Sequence, residues 1–286
     1  MNRPPLALSY STLKLLPCPL RFWDRYYNPD REDHSSVDAV MGTLGHAADA
    51  MYFDGWIAEN NDVRIPKGWG WQAQNPDLHV HFTELVLKLE REGLNRLSPD
   101  NEDQVRKVGE NYAEYLKVNQ YSGYVTERRY WVDRNYQPVD IGNQQTKIDL
   151  LGGTPDRIEV KDMGRRAIIT DIKRGRAGVE PAMTSRQLMI YAALHFWHNP
   201  ECDEVTVQYE APMFRNYPPP HVWQREPCLL QVMTIVDAAW LRVDDLWTAY
   251  QDSQWPAESS SACDSDAYCD VGCTHGVIER LYKESA

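Results

Sequence analysis

The stretch Gly153-Thr154-Pro155-Asp156-Arg157-Ile158-Glu159-Val160, followed across Asp162-Met163-Gly164 by Arg166-Ala167-Ile168-Ile169-Thr170-Asp171-Ile172-Lys173, decides the fold. Residues 156–160 and 166–172 are short and rich in isoleucine and valine, the composition of half-buried strands, and the intervening Asp-Met-Gly is turn chemistry. The two read as a hairpin. The period of two along a strand puts Asp171 and Lys173 on one face. Hairpin pairing then brings Asp156, at the start of one strand, toward Asp171, near the end of the next. Two carboxylates and an ammonium converge there. Two anions that close resist joint ionisation unless a cation is shared, and magnesium or manganese takes carboxylate and carbonyl oxygens readily. Such a group suits metal-assisted attack of water on a phosphodiester, with the lysine orienting or deprotonating the water.

Outward from this hairpin, Val125–Val132 and Gln145–Leu151 read as further strands, Pro181–His198 as a helix, Glu204–Glu210 as a strand and Val236–Gln251 as a terminal helix. Toward the N-terminus, Ser9–Tyr27 starts with hydroxyl residues able to cap a helix and reads as two helical pieces meeting at Pro17-Cys18-Pro19. Residues 41–57, 81–97 and 104–119 have helical spacing, with His46 in the first turn of its segment. Gly68-Trp69-Gly70-Trp71 reads as a loop whose indoles could stack on bases. The order predicts an α/β protein with a mixed central β-sheet flanked by helices and an N-terminal helical arm.

The chain has 286 residues, of which 42% are hydrophobic and 25% charged, which is ordinary globular usage and excludes a disordered or collagenous protein. Its longest apolar stretch, Leu188–Trp197, is about half a membrane span, and Met1–Tyr10 lacks the charged-then-apolar order of a secretion signal, so a cytoplasmic protein with no membrane association is expected. A net charge of −12 disfavours non-specific coating of nucleic acid. Between Arg157 and Arg186, however, eight basic residues face four acidic ones. On charge alone that stretch reads equally as a polyanion site or as solvated strand and loop surface.

Three of the six cysteines, Cys263, Cys269 and Cys273, lie in the last 24 residues, and in a reducing compartment such a cluster points to a metal or iron–sulfur site rather than disulfides. Cys202 and Cys228 read as packing residues.

Taken in order, these elements resemble the PD-(D/E)XK nuclease superfamily, in its RecB-like branch with an iron–sulfur cluster, the branch of CRISPR-adaptation-type nucleases. The restriction-endonuclease-like core of that family is similar in Gly153 to Asp156, in Asp171-Ile172-Lys173, and in Gln187 with Tyr191 one helical turn on. Its N-terminal motifs are similar to Ser9-Tyr10-Ser11-Thr12-Leu13, Pro17-Cys18-Pro19 and Gly42-Thr43-Leu44-Gly45-His46. The resemblance implies that Asp156, Asp171 and Lys173 are catalytic. It implies that His46, Asp156, Asp171 and Ile172 hold magnesium or manganese, and that Gln187 and Tyr191 meet the substrate. It also implies that Cys18, Cys263, Cys269 and Cys273 hold a [4Fe-4S] cluster.

The gaps of five and three residues between the late cysteines depart from the family's close Cys-x-x-Cys pair, and four thiolates also suit structural zinc. Closing Cys18 onto Cys263 would tie off 245 residues, worth about 5 kcal/mol in loop-closure entropy. The implied organisation is a helical part over 1–120 with Cys18 and His46, a nuclease core over 121–252, and a cysteine-rich segment over 253–286 packing back on the arm. The implied activity is a metal-dependent deoxyribonuclease, an exonuclease on single-stranded DNA or duplex ends in phage or prokaryotic recombination, replication or CRISPR adaptation. No Gly-x-x-x-x-Gly-Lys-Ser/Thr phosphate loop is present in these residues, so a stand-alone nuclease rather than a helicase-nuclease chain is expected. The alternative is a catalytically silent nucleic-acid-binding scaffold stapled by a metal cluster.

Overall fold

A computed structural model describes residues 3–26, 124–126, 128–140, 147–173, 180–210 and 218–251. His46, Trp69, Trp71, Cys263, Cys269 and Cys273, with the helices expected over 41–119, lie outside them. The chain divides into two units. One comprises Met1–Asp33, Trp131–Gly152 and Leu229–Ala286, and the other His34–Tyr130 and Gly153–Cys228.

The second unit holds a five-stranded mixed sheet. Its strands are β2 (Tyr124–Thr126), β5 (Arg157–Lys161), β6 (Arg166–Ile172), β7 (Glu204–Glu210) and β8 (His221–Gln224), hydrogen-bonded in that order. The β6–β7 pair is parallel and the other neighbours are antiparallel. Central β6 is isoleucine-rich and buried over its last four residues, whereas β7 alternates buried and half-buried positions for most of its length. The β5–β6 hairpin closes through a short 3₁₀ turn, Asp162–Gly164, in which Asp162, Met163 and Gly164 all have positive φ. Glycine adopts that conformation freely; Met163, fully exposed at the tip, does not, and such a residue carries about 1–2 kcal/mol of strain.

A parallel pair needs a crossover, and the chain supplies α3 (Arg186–His198), which packs on β6 and β7. The Ser185 hydroxyl caps α3 by accepting from the Leu188 N–H at 3.3 Å. Residues Leu188–Phe196 are buried without a break, the pattern of a helix covered on nearly every side. At its far end the Tyr130 hydroxyl lies 2.9 Å from His195 Nδ1.

The first unit carries a three-stranded sheet in the order β1 (Ala7–Leu8), β4 (Leu150–Gly153) and β3 (Tyr130–Asp133), with β1 parallel to β4. Two short helices, α1 (Tyr10–Leu13) and α2 (Pro19–Tyr26), meet beside buried Cys18, and a capping box between Ser9 and Thr12 starts α1. The last helix, α4 (Arg225–Gln251), lies mostly in this unit. Its Asp244 pairs with Arg3 and Arg134, whose guanidinium groups lie over the Trp240 ring at 5.6 and 4.8 Å. No described helix is long and apolar enough to cross a membrane.

The mixed central sheet and flanking helices agree with the expected class. Several boundaries differ. The expected strand Val125–Val132 is two strands, β2 and β3, in separate sheets. Helix α3 starts at Arg186 rather than Pro181, because Ala182–Thr184 form a turn and Ser185 is the cap. Helix α4 starts eleven residues before Val236, since Pro227 falls in its first turn, where its missing N–H has no intrahelical partner to lose. Strands β1 and β8 were not anticipated; β1 is two residues long and β8 follows a proline run.

Candidate active site at the strand ends

The hairpin register sets the site. Arg157 pairs with Thr170 across β5 and β6, so Asp156, one residue earlier, stands beside Asp171 and Ile172. Its Oδ2 accepts the Ile172 N–H at 2.6 Å, and both Asp156 and Asp171 are buried, at 7% and 3% exposure. A carboxylate this buried is tolerated only with donors around it.

Asp171 has such donors. Lys173 Nζ lies 2.6 Å from its Oδ2, and Gln187 Nε2 donates to its Oδ1 at 3.0 Å. Lys173 also donates to Gln187 Oε1 at 3.1 Å, so the three side chains close a ring. Gln187 Nε2 lies 2.9 Å from the Tyr191 hydroxyl, one turn along α3. The ammonium is the more open member of the ring, with 36% of its side chain exposed against 4% for Asp171. Asp171, Lys173, Gln187 and Tyr191 are thus joined by polar contacts, with α3 delivering the last two, and Asp156 is held beside them through the Ile172 N–H.

Sequence reading missed two features. Tyr209, in register with Asp171 on β7, places its ring 5.6 Å from Lys173 Nζ and its hydroxyl 2.5 Å from Ser185 Oγ, tying β7 to the cap of α3. Arg157 forms an ion pair with Glu210, with side chains 1% and 9% exposed. The parallel β6–β7 pairing that brings Glu210 opposite Ile172 has no local signal in the sequence.

The basic stretch divides between the interior and the surface. Arg157 is a buried partner of Glu210, and Lys161, Arg165 and Arg166 pair with Glu159, Asp203 and Asp162. Lys161, Arg165 and Arg166 are thus matched by carboxylates at the surface, whereas Arg157 belongs to the interior. Arg174 and Arg176 lie outside the described residues. Cys202 and Cys228 are fully buried, as packing residues should be, and burial pushes the Cys228 thiol up to about 12.

The donor chemistry fits a hard cation. Asp156 and Asp171 offer carboxylate oxygens on neighbouring strands, and magnesium commonly binds through one or two carboxylates with water and substrate phosphate completing its shell. Among the described residues no three His, Cys, Asp or Glu side chains group closely enough to hold a metal by themselves. His46, the further ligand implied by the resemblance, lies outside them.

These features define an α/β protein with an acid–lysine–amide site at the ends of its central strands. No protein-family model matches the chain, and no curated protein matches it. Among solved structures, it is similar to one from Eubacterium rectale whose assignment as an exonuclease is itself an inference. The identity is 11% and the TM-score 0.39, over 87% of this chain and 82% of that one. A likeness that loose decides neither fold nor chemistry, which rest on the residues described above.

Proposed function

We propose that the chain is a magnesium- or manganese-dependent deoxyribonuclease, an exonuclease acting on single-stranded DNA or duplex ends. The observation that carries this reading is the ring of Asp171, Lys173 and Gln187 beside Asp156, on adjacent strands and under one helix. Asp156, Asp171 and the Ile172 carbonyl, with His46, would hold the ion, which when bound supplies polarisation of the phosphoryl oxygen. Lys173, half-exposed above buried Asp171, orients the attacking water and donates to the phosphate. Gln187 fixes that ammonium while holding Asp171, so neither group must reorganise during attack.

We further propose that Cys18 joins Cys263, Cys269 and Cys273 around a [4Fe-4S] cluster, with structural zinc as the alternative. Support comes from the late cysteine cluster, from the place of Cys18 between α1 and α2, and from the packing roles of Cys202 and Cys228. Protein purified without oxygen should be brown and contain iron and acid-labile sulfide; a colourless preparation with stoichiometric zinc would replace the cluster by zinc. Labelled single-stranded and duplex DNA incubated with manganese or with EDTA tests the activity. A catalytically silent scaffold would bind these substrates and leave them whole.

A further inference from the structure

We infer that the buried Arg157–Glu210 ion pair is the positioning element of this site, holding the ends of β5, β6 and β7 in the register that sets Asp156 against Ile172. For its effect on turnover the inference rests on the nuclease reading above; its effect on geometry stands apart from it.

Directly paired residues project to the same side of a sheet, and positions two apart along a strand share a face. Arg157 pairs with Thr170 and Glu210 with Ile172, so both ionic side chains lie on the face of Thr170 and Ile172. Asp171, Lys173 and Tyr209 occupy the opposite face, the one covered by α3. The ion pair therefore reaches from β5 to β7 across the back of β6, at the level where β6 carries its acid and lysine.

Both partners are anchored next to the site through the main chain. Arg157 follows Asp156 directly, and the Glu210 carbonyl accepts the Lys173 N–H at 2.7 Å. The strand ends thus form a closed frame. Asp156 Oδ2 accepts the Ile172 N–H, Glu210 holds the next peptide, and Arg157 and Glu210 join the outer strands.

Stability alone does not explain a pair so buried. Removing two charges from water costs about as much as their attraction returns, and well-packed apolar residues of similar volume commonly do as well or better. What an apolar pair cannot supply is a fixed separation. The contact of Arg157 Nη2 with Glu210 Oε2 fixes the separation of the strands it joins, whereas methylene groups slide.

The test separates packing from positioning. The double variant Arg157→Met/Glu210→Leu removes both charges, and Glu210→Asp retracts one carboxylate by a methylene while keeping its charge. Each is measured for melting temperature, for the amide resonance of Ile172 in a nitrogen-15 spectrum, and for kcat and KM on DNA with manganese. The double variant is expected to melt within a few degrees of the parent, to shift the Ile172 amide, and to lose about a hundredfold in kcat, the usual penalty for a misplacement of about 1 Å. Its KM should stay within about threefold, since the pair lies on the face away from Lys173 and Gln187. Glu210→Asp should shift the same amide and lose about tenfold in kcat. If the double variant does not fold, Glu210→Asp decides alone. An unmoved Ile172 amide with full kcat in a folded variant overturns the inference. If the parent cleaves no DNA, the nuclease reading fails by itself and the amide resonance still decides whether the pair positions the strand ends.

Discussion

The ring of Tyr191 rests directly against Gly153: a Cβ built at position 153 would stand 2.7 Å from Tyr191 Cε1 and 3.1 Å from Leu194 Cδ1. The absence of a side chain at position 153, three residues before Asp156, thus leaves room for the Tyr191 ring. Gly153→Ala should lose about 1–3 kcal/mol of stability through overpacking. It should also lower turnover, because the Tyr191 hydroxyl that meets Gln187 must move with its ring. Urea unfolding and single-turnover cleavage measure the two effects, and unchanged values of both would show that the contact is not tight.

Gln187 is the member of the ring whose amide has both ends in use, one toward Lys173 and the other toward Asp171 and Tyr191. Gln187→Ala should reduce kcat about tenfold, and Gln187→Glu by about a hundredfold, because a second carboxylate beside buried Asp171 adds like-charge repulsion to the lost donor. The order of the two variants is the informative result. Equal rates for both would deny that the amide donor matters.

Lys161, Arg165 and Arg166 lie at the hairpin tip, with Arg166 five residues from Asp171 along β6, or about 17 Å at strand rise. Each is matched to a carboxylate at the surface. Replacing all three by alanine should change DNA affinity by no more than about twofold and leave stability nearly unchanged, as exposed pairs contribute little. A steep loss of affinity in salt titrations would restore this end of the hairpin as a DNA contact.

Burial, with Arg128 and His198 nearby, lowers the pKa of His195 from 6.5 to about 4. The Tyr130 hydroxyl lies 2.9 Å from Nδ1 of the neutral His195 ring. Between pH 6.5 and about 4 the unfolded chain binds this proton and the folded chain does not. Stability from this group is therefore complete above pH 6.5 and falls as the pH drops, by up to about 3 kcal/mol. Denaturation midpoints at pH 7, 5.5 and 4 should show that slope in the parent and a shallower one in His195→Gln. Parallel slopes would remove His195 as its source.

The hairpin was legible in the sequence because local rules fix it, a turn between two β-branched runs with a period of two. Gln187 and Tyr191, by contrast, were singled out by the family resemblance and lie one helical turn apart on α3. What stayed hidden depends on partners distant in sequence. The split of residues 125–132 between two sheets follows from pairing, not composition. Arg157 looked like surface charge until the parallel β6–β7 register brought Glu210 to it, 53 residues on. The start of α4 at Arg225 rather than Val236 was not read, although Pro227 in its first turn is compatible with a helix.

The most direct test of the central claim is cleavage of end-labelled single-stranded and duplex DNA by the parent chain and by Asp171→Ala, each with manganese, magnesium or EDTA. Asp171→Ala should fold, since Lys173 is open enough to be solvated once its partner is gone. The account predicts metal-dependent cleavage by the parent, none in EDTA, and loss of cleavage to background in the folded variant. Cleavage that survives Asp171→Ala, or a parent chain inert toward every substrate with both metals, would contradict it.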